Sequence, residues 1–103
     1  PGARAPEGAG ELVALAAAGD ARAFQCIMRR HNRLMFRTAR SVLRDDAEAE
    51  DAVQEAYLKA WRALPGFRAE SRLSTWLVRI VMNQALSRLR RRHGVVVPFG
   101  ALG

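Results

Sequence analysis

The chain has 103 residues, half of them apolar, which suffices for one compact core and excludes two independently folded ones. Its net charge of +7 comes almost wholly from arginine, the cation suited to bidentate phosphate contacts and base stacking, so a polyanionic partner is the first expectation, although a GC-rich genome gives a similar composition. With one cysteine there is no internal disulfide; no run approaches the ~18 apolar residues of a membrane span and no basic-then-apolar leader opens the chain, so a cytoplasmic setting without membrane insertion is expected.

Ala, Leu, Arg and Val dominate over Thr, Tyr and Phe, a composition that predicts an all-α fold: a compact bundle of three main helices plus a short N-terminal helix. Residues 1–10, rich in Gly, Ala and Pro, read as a flexible tail. A first helix is predicted over 11–18, stopped by Gly19, with Asp20 placed to cap the second. The second helix is the longest and should run to about residue 43. In it Phe24, Ile27, Met28, His31, Leu34, Met35, Thr38 and Val42 form one stripe, while Arg22, Arg29, Arg30, Arg33, Arg37, Arg40 and Arg44 fall mostly elsewhere. His31 reads as a core or boundary residue, and Cys26 as an inert buried thiol on the apolar side.

Asp45 and Asp46 read as a turn and N-cap, with Glu48 completing a capping-box-like pattern, and the crowded acids suit the positive end of a helix dipole. The third helix is predicted over 47–64 and is ended by Pro65 and Gly66. Residues 67–72 read as a loop, and Ser71 or Ser74 can cap a last helix that continues to about residue 92. The domain thus spans 11–93. The remaining 94–103, with apolar Val95, Val96, Val97 and Phe99, read as the start of a linker or as a segment that packs on a missing neighbour.

Charge is blocky. Residues 21–44 carry seven arginines and no acid, 45–55 six acids and no base, and 67–92 seven arginines against Glu70. On the third helix Val53, Tyr57, Ala60, Trp61 and Leu64 make the core stripe, and a wheel places Leu58 on the outer face among Asp51, Gln54, Glu55 and Arg62, an apolar spot with a polar rim. On the last helix Arg72, Trp76, Arg79, Asn83, Ser87 and Arg90 share a narrow band. Leu73, Leu77, Ile80 and Val81 form a core stripe beside it, and Met82, Leu86 and Leu89 a weaker one on the other side. Arginine can neutralise phosphates, Asn83 can pair with a base edge, and Trp76 or Phe67 can stack on an unpaired base, the chemistry of single-stranded nucleic-acid recognition. Core packing of Trp76 and a helix-end role for Arg90, Arg91 and Arg92 are the alternatives. There is no nucleophile–base pair, glycine-rich phosphate loop or Cys/His cluster, so neither an enzyme nor a metal or cofactor site is expected.

The run from Asp51 through Val53, Gln54, Tyr57, Leu58 and Trp61 to Leu64, then Phe67 to Arg79 and Asn83, closely resembles region 2 of extracytoplasmic-function (ECF) sigma factors, and residues 19–24 resemble the start of that region. The resemblance covers residues 11–92. It implies that Asp51, Gln54, Glu55 and Leu58 dock on the clamp helices of the largest subunit of core RNA polymerase. It implies too that Phe67, Arg68, Ser71, Arg72 and Leu73 of the loop, with Ser74, Thr75, Trp76, Arg79 and Asn83, capture the non-template strand of the promoter minus-10 element and flip one base into a pocket. Two departures stand out: Ser87 replaces an acid common in the family four residues after the asparagine, and no second helix-turn-helix domain for the minus-35 element occurs in these residues, so a fragment is expected. An anti-sigma factor is a further implied partner. The rival reading is a general helical nucleic-acid-binding or adaptor module without a polymerase partner, and Leu58 with Gln54 discriminates the two.

Overall fold

The computed structural model describes the backbone of residues 5–92 and the side chains from Gly10 onward. Helix α1 spans Ala5–Ala17, α2 Ala21–Leu43, α3 Asp46–Ala63 and α4 Leu73–Arg92, with a 3₁₀ turn at Leu64–Gly66 between α3 and α4. The fold is all-α, as the composition implies. Helices α2, α3 and α4 pack pairwise around one core, and α1 lies on α2. The expected linker at 94–103 lies outside the described residues.

Helix α1 starts six residues before the predicted 11, so the stretch expected as tail is helical from Ala5. Proline is compatible with a first helical turn, and alanine offsets the two glycines that suggested disorder. Its C-terminus closes as expected: the Gly19 N–H donates to the Ala16 carbonyl at 3.0 Å and the Asp20 N–H to that of Leu15 at 2.9 Å, the paired bonds of a Schellman turn. Gly19 has φ +107°, a conformation open to glycine. The Asp20 carboxylate then accepts from the N–H groups of Arg22 and Ala23, capping α2.

The core of α2 is shifted from the predicted stripe. Ala23, Phe24, Ile27, Met35, Ala39 and Leu43 are buried, whereas Leu34 is 41% exposed. The small residues Ala23 and Ala39 carry little hydropathy signal in the sequence, yet both are buried. Cys26 is half-buried and does not lie on the apolar side; at ~100° per residue it falls among the arginines. His31 is a boundary residue whose Nδ1–H donates to the Ile27 carbonyl at 2.8 Å.

Arg44 ends α2 in the left-handed region with φ 57°, and Asp45 caps α3 by accepting from the Glu48 N–H at 2.8 Å. The capping box closes on that side only: the Glu48 carboxylate pairs with Arg92 at 3.4 Å, and Arg92 also donates to the Leu43 carbonyl at 3.2 Å. One guanidinium at the end of α4 therefore holds the end of α2 to the start of α3. Ala49, Ala52, Ala56 and Ala60, at i+3/i+4 spacing, are all fully buried, so α3 presents a backbone-close ridge to both neighbours. The Tyr57 hydroxyl donates to the Met28 carbonyl at 3.0 Å, and Phe24 packs edge-on against Tyr57 and tilted against Trp61.

Neither serine caps α4 as expected. Ser74 lies inside the helix, Ser71 Oγ donates weakly to the Arg72 carbonyl at 3.4 Å, and that carbonyl accepts from the Trp76 N–H. Leu77, Val81 and Ala85 form the buried line of α4, while Leu86 is 38% exposed.

Candidate functional site

On the outer face of α3, Leu58 is 57% exposed, more than any other large apolar residue among those described. Asp51, Gln54 and Arg62 around it are exposed. Glu55 is not part of that free rim: its carboxylate accepts from Gln84 Nε2 at 2.9 Å and pairs with Arg88 at 3.0 Å, because it sits where the outer face of α3 turns toward α4. Of the acids ahead of it, Asp46 pairs with Arg40 at 2.7 Å, and Glu50 and Asp51 have no ion-pair partner among the described residues.

Beside Leu58 the structure opens an apolar groove of about 810 Å³ between α2 and α3, floored by Phe24, Met28, Val53, Tyr57 and Trp61 and edged by Gln25, Arg29, Asn32 and Gln54. Trp61, read as core, is half-buried here. The contribution of Gln25, Arg29 and Asn32 had no signal in the sequence, since helical periodicity does not state which faces of two helices become neighbours. Burial pushes the Tyr57 phenol up to about 12, so at neutral pH it is a neutral donor to Met28.

The second site lies at the loop before α4. Phe67 and Trp76 pack with ring centroids 5.0 Å apart at 47°. Next to them a pocket of about 390 Å³ is lined by Gly66, Phe67, Arg68, Glu70, Ser71, Trp76 and Arg79, inside the roughly 300–1,000 Å³ range of small-molecule sites. The loop turns over it at Ala69, which takes a left-handed φ of 58°. An aromatic wall, two guanidiniums, one carboxylate and a hydroxyl suit a planar heterocycle whose edge both donates and accepts hydrogen bonds.

Along the same side of α4 run the exposed Arg72, Thr75, Asn83 and Arg90 and half-buried Ser87; half-buried Ser74, three residues before Leu77 and seven before Val81, shares their core-facing line instead and is not part of this face. At 1.5 Å per residue, Arg90 stands ~16 Å beyond Arg79, so Asn83 and Arg90 extend the face but do not line the pocket. Leu73 is packed against the core and is separated from this face. Trp76 belongs to the face by angle and is half-buried because Phe67 covers it. Glu70 falls within the 67–73 loop that the family resemblance implies for strand capture, whereas Gly66 has no signal in the sequence and only the path of the loop brings it to the pocket. Among the described residues no three His, Cys, Asp or Glu gather as a metal site, and no helix is long and apolar enough to cross a membrane.

Comparison with known families matches residues 27–94 to Sigma-70 region 2, a stretch that takes in most of α2 and all of α3 and α4. The chain is 47% identical over 81 residues to the ECF RNA polymerase sigma factor SigM of Mycobacterium tuberculosis, covering 79% of this chain and 41% of that protein. It is 38% identical over 82 residues to the RNA polymerase sigma-H factor of Pseudomonas aeruginosa, covering 80% and 42%. To the RNA polymerase sigma factor CnrH of Cupriavidus metallidurans it is 34% identical over 90 residues, covering 87% and 47%. The chain thus spans less than half the length of these relatives. Helix order, the motifs on α3 and α4, and these matches place the chain in the sigma-70 region 2 family, as a region 2 domain of the ECF sigma-factor type.

Proposed function

We propose that this domain is a transcription-initiation module that acts by binding: the outer face of α3 docks on core RNA polymerase, and the α4 face captures the opened non-template strand of a promoter minus-10 element. The observation that carries the reading is the pocket under the 67–72 loop, where Phe67, Trp76 and Arg79 converge. Arg72 and Arg90 neutralise phosphates, Asn83 offers an amide to a base edge, and Arg68, Glu70 and Ser71 read the edge of a base held in the pocket. Unstacking a base costs a few kcal/mol, and each stacked base returns about 1–3 kcal/mol. Contacts made only to the open strand therefore shift the duplex toward melting.

The docking face consists of Leu58 as the apolar anchor, Asp51, Gln54 and Arg62 as its rim, and the adjoining groove. Glu55 serves it indirectly, by holding α3 to α4. An anti-sigma factor covering Leu58 and the groove would compete with polymerase for the same surface, in the cytoplasm where both are found.

The test is a titration of the 103-residue chain against core RNA polymerase, alongside Leu58→Ala and Gln54→Ala. Saturable binding weakened by each substitution about tenfold, roughly 1.4 kcal/mol, with unchanged helicity, supports docking. A folded chain that fails to bind polymerase but still binds single-stranded oligonucleotides would reduce the reading to a nucleic-acid-binding module.

A further inference from the structure

The seven arginines between residues 21 and 44 have no part in either site above, Arg29 at the groove edge excepted. At 100° per residue they all fall within an arc of about 100° on α2. The one other residue in that arc is Cys26. All seven are exposed, and among the described residues only Arg40 has an acidic partner, Asp46. The row runs about 33 Å along the helix at 1.5 Å per residue, close to one turn of B-DNA at roughly 34–36 Å.

Such a row works against folding. Arg30, Arg33, Arg37, Arg40 and Arg44 follow one another at i+3 and i+4, and each like-charge step destabilises the helix. Removing any one of them would relieve it, and nothing in the core needs them, since the buried residues of α2 lie on the opposite side against α3 and α4. We propose that this row is a second nucleic-acid surface that binds the phosphate backbone of duplex DNA, independently of the single-strand pocket on α4.

The chemistry favours DNA over an acidic protein. Protein interfaces centre on apolar or aromatic anchors, and this arc contains none. Guanidiniums repeated along a straight line instead match a regular array of phosphates, where each contact releases counterions. None of the seven arginines lines the α4 pocket, so the row and the pocket are separate surfaces, suited to the paired and the opened segments of one promoter. The inference stands whether or not the chain docks on polymerase.

The test compares two variants of the 103-residue chain with the same loss of charge. One carries Arg22→Gln, Arg30→Gln and Arg37→Gln, none of which borders the α2–α3 groove; the other carries Arg68→Gln, Arg79→Gln and Arg90→Gln on the α4 side. Fluorescence anisotropy with a fully paired duplex lacking AT-rich sequence, and with a single-stranded oligonucleotide, is read from about 50 to 200 mM salt. The α2 variant is expected to lose about tenfold or more in duplex affinity and to lower the salt slope by about 2 to 3, while keeping single-strand binding. Equal loss of duplex binding by both variants would mean that only net charge matters, and would overturn the proposal. So would full duplex binding by the α2 variant, or an equal loss on poly-glutamate, which would make the row a reader of acidic polymers in general.

Discussion

The carboxylate of Glu55 and the guanidinium of Arg88 meet at 3.0 Å across the α3–α4 seam, joined by Gln84 at 2.9 Å from the same carboxylate. Arg88 is the more enclosed partner, its side chain 19% exposed against 44% for Glu55. The pair links the helix that carries Leu58 to the helix that carries Arg79 and Asn83. It therefore fixes the spacing between the two proposed binding faces rather than belonging to either.

Because Glu55 is partly solvated, its loss should be modest. Glu55→Ala is expected to cost about 1 kcal/mol, lowering Tm by about 4–8 °C for a domain of this size. A Glu55/Arg88 double-mutant cycle followed by thermal circular dichroism should show a coupling of about 0.5 kcal/mol. Additive effects would show that the two groups stabilise the seam separately.

Tyr57 is the single tyrosine of the chain, so tyrosinate absorbance reports it alone. Its folded pKa of about 12 lies above the ordinary 10.0, because burial disfavours the phenolate. The fold holds this proton more tightly than the unfolded chain, so its contribution is complete below pH 10.0 and is lost as pH rises toward about 12. Tyr57→Phe should remove this tyrosine-linked part of the alkaline decline and, by leaving the Met28 carbonyl without its phenol donor, cost about 1 kcal/mol at neutral pH. Urea titrations of both proteins across that pH range give the comparison.

The alanine ridge of α3 has no room for larger side chains. Ala56 is fully buried, and Ala56→Leu is expected to destabilise by about 1–3 kcal/mol through overpacking against α2 and α4. Leu58→Ala, two positions on and exposed, should change stability by no more than about 0.5 kcal/mol. Urea unfolding of the two variants would expose any error in the assignment of the faces: equal losses would contradict it.

Arg44 holds a left-handed φ of 57° at the end of α2. Such a conformation costs a side-chain-bearing residue about 1–2 kcal/mol, and glycine avoids this at the expense of more freedom in the unfolded chain. Arg44→Gly should therefore raise the urea midpoint modestly, by about 0.5 kcal/mol in stability, with the m-value unchanged.

Local chemistry made the helices legible in the sequence. Gly19 with Asp20, Asp45, and Pro65 with Gly66 mark where the chain stops and restarts, through backbone freedom, side-chain caps and a missing N–H. The exposure of Leu58 and the angular band of Arg72, Trp76, Arg79 and Asn83 followed from helical periodicity, which depends on each helix alone. Tertiary structure decided the rest. Sequence spacing does not say which helix faces meet, so Glu55 reads as a free carboxylate although Arg88 claims it, Leu34 reads as core although it faces water, and of the buried alanines of α3 only Ala60 stands out in the sequence. The groove edge at Gln25, Arg29 and Asn32 and the pocket wall at Gly66 and Glu70 exist only once α2 lies beside α3 and the loop folds over α4. Contacts between residues distant in sequence are set by packing, and packing depends on the whole core at once.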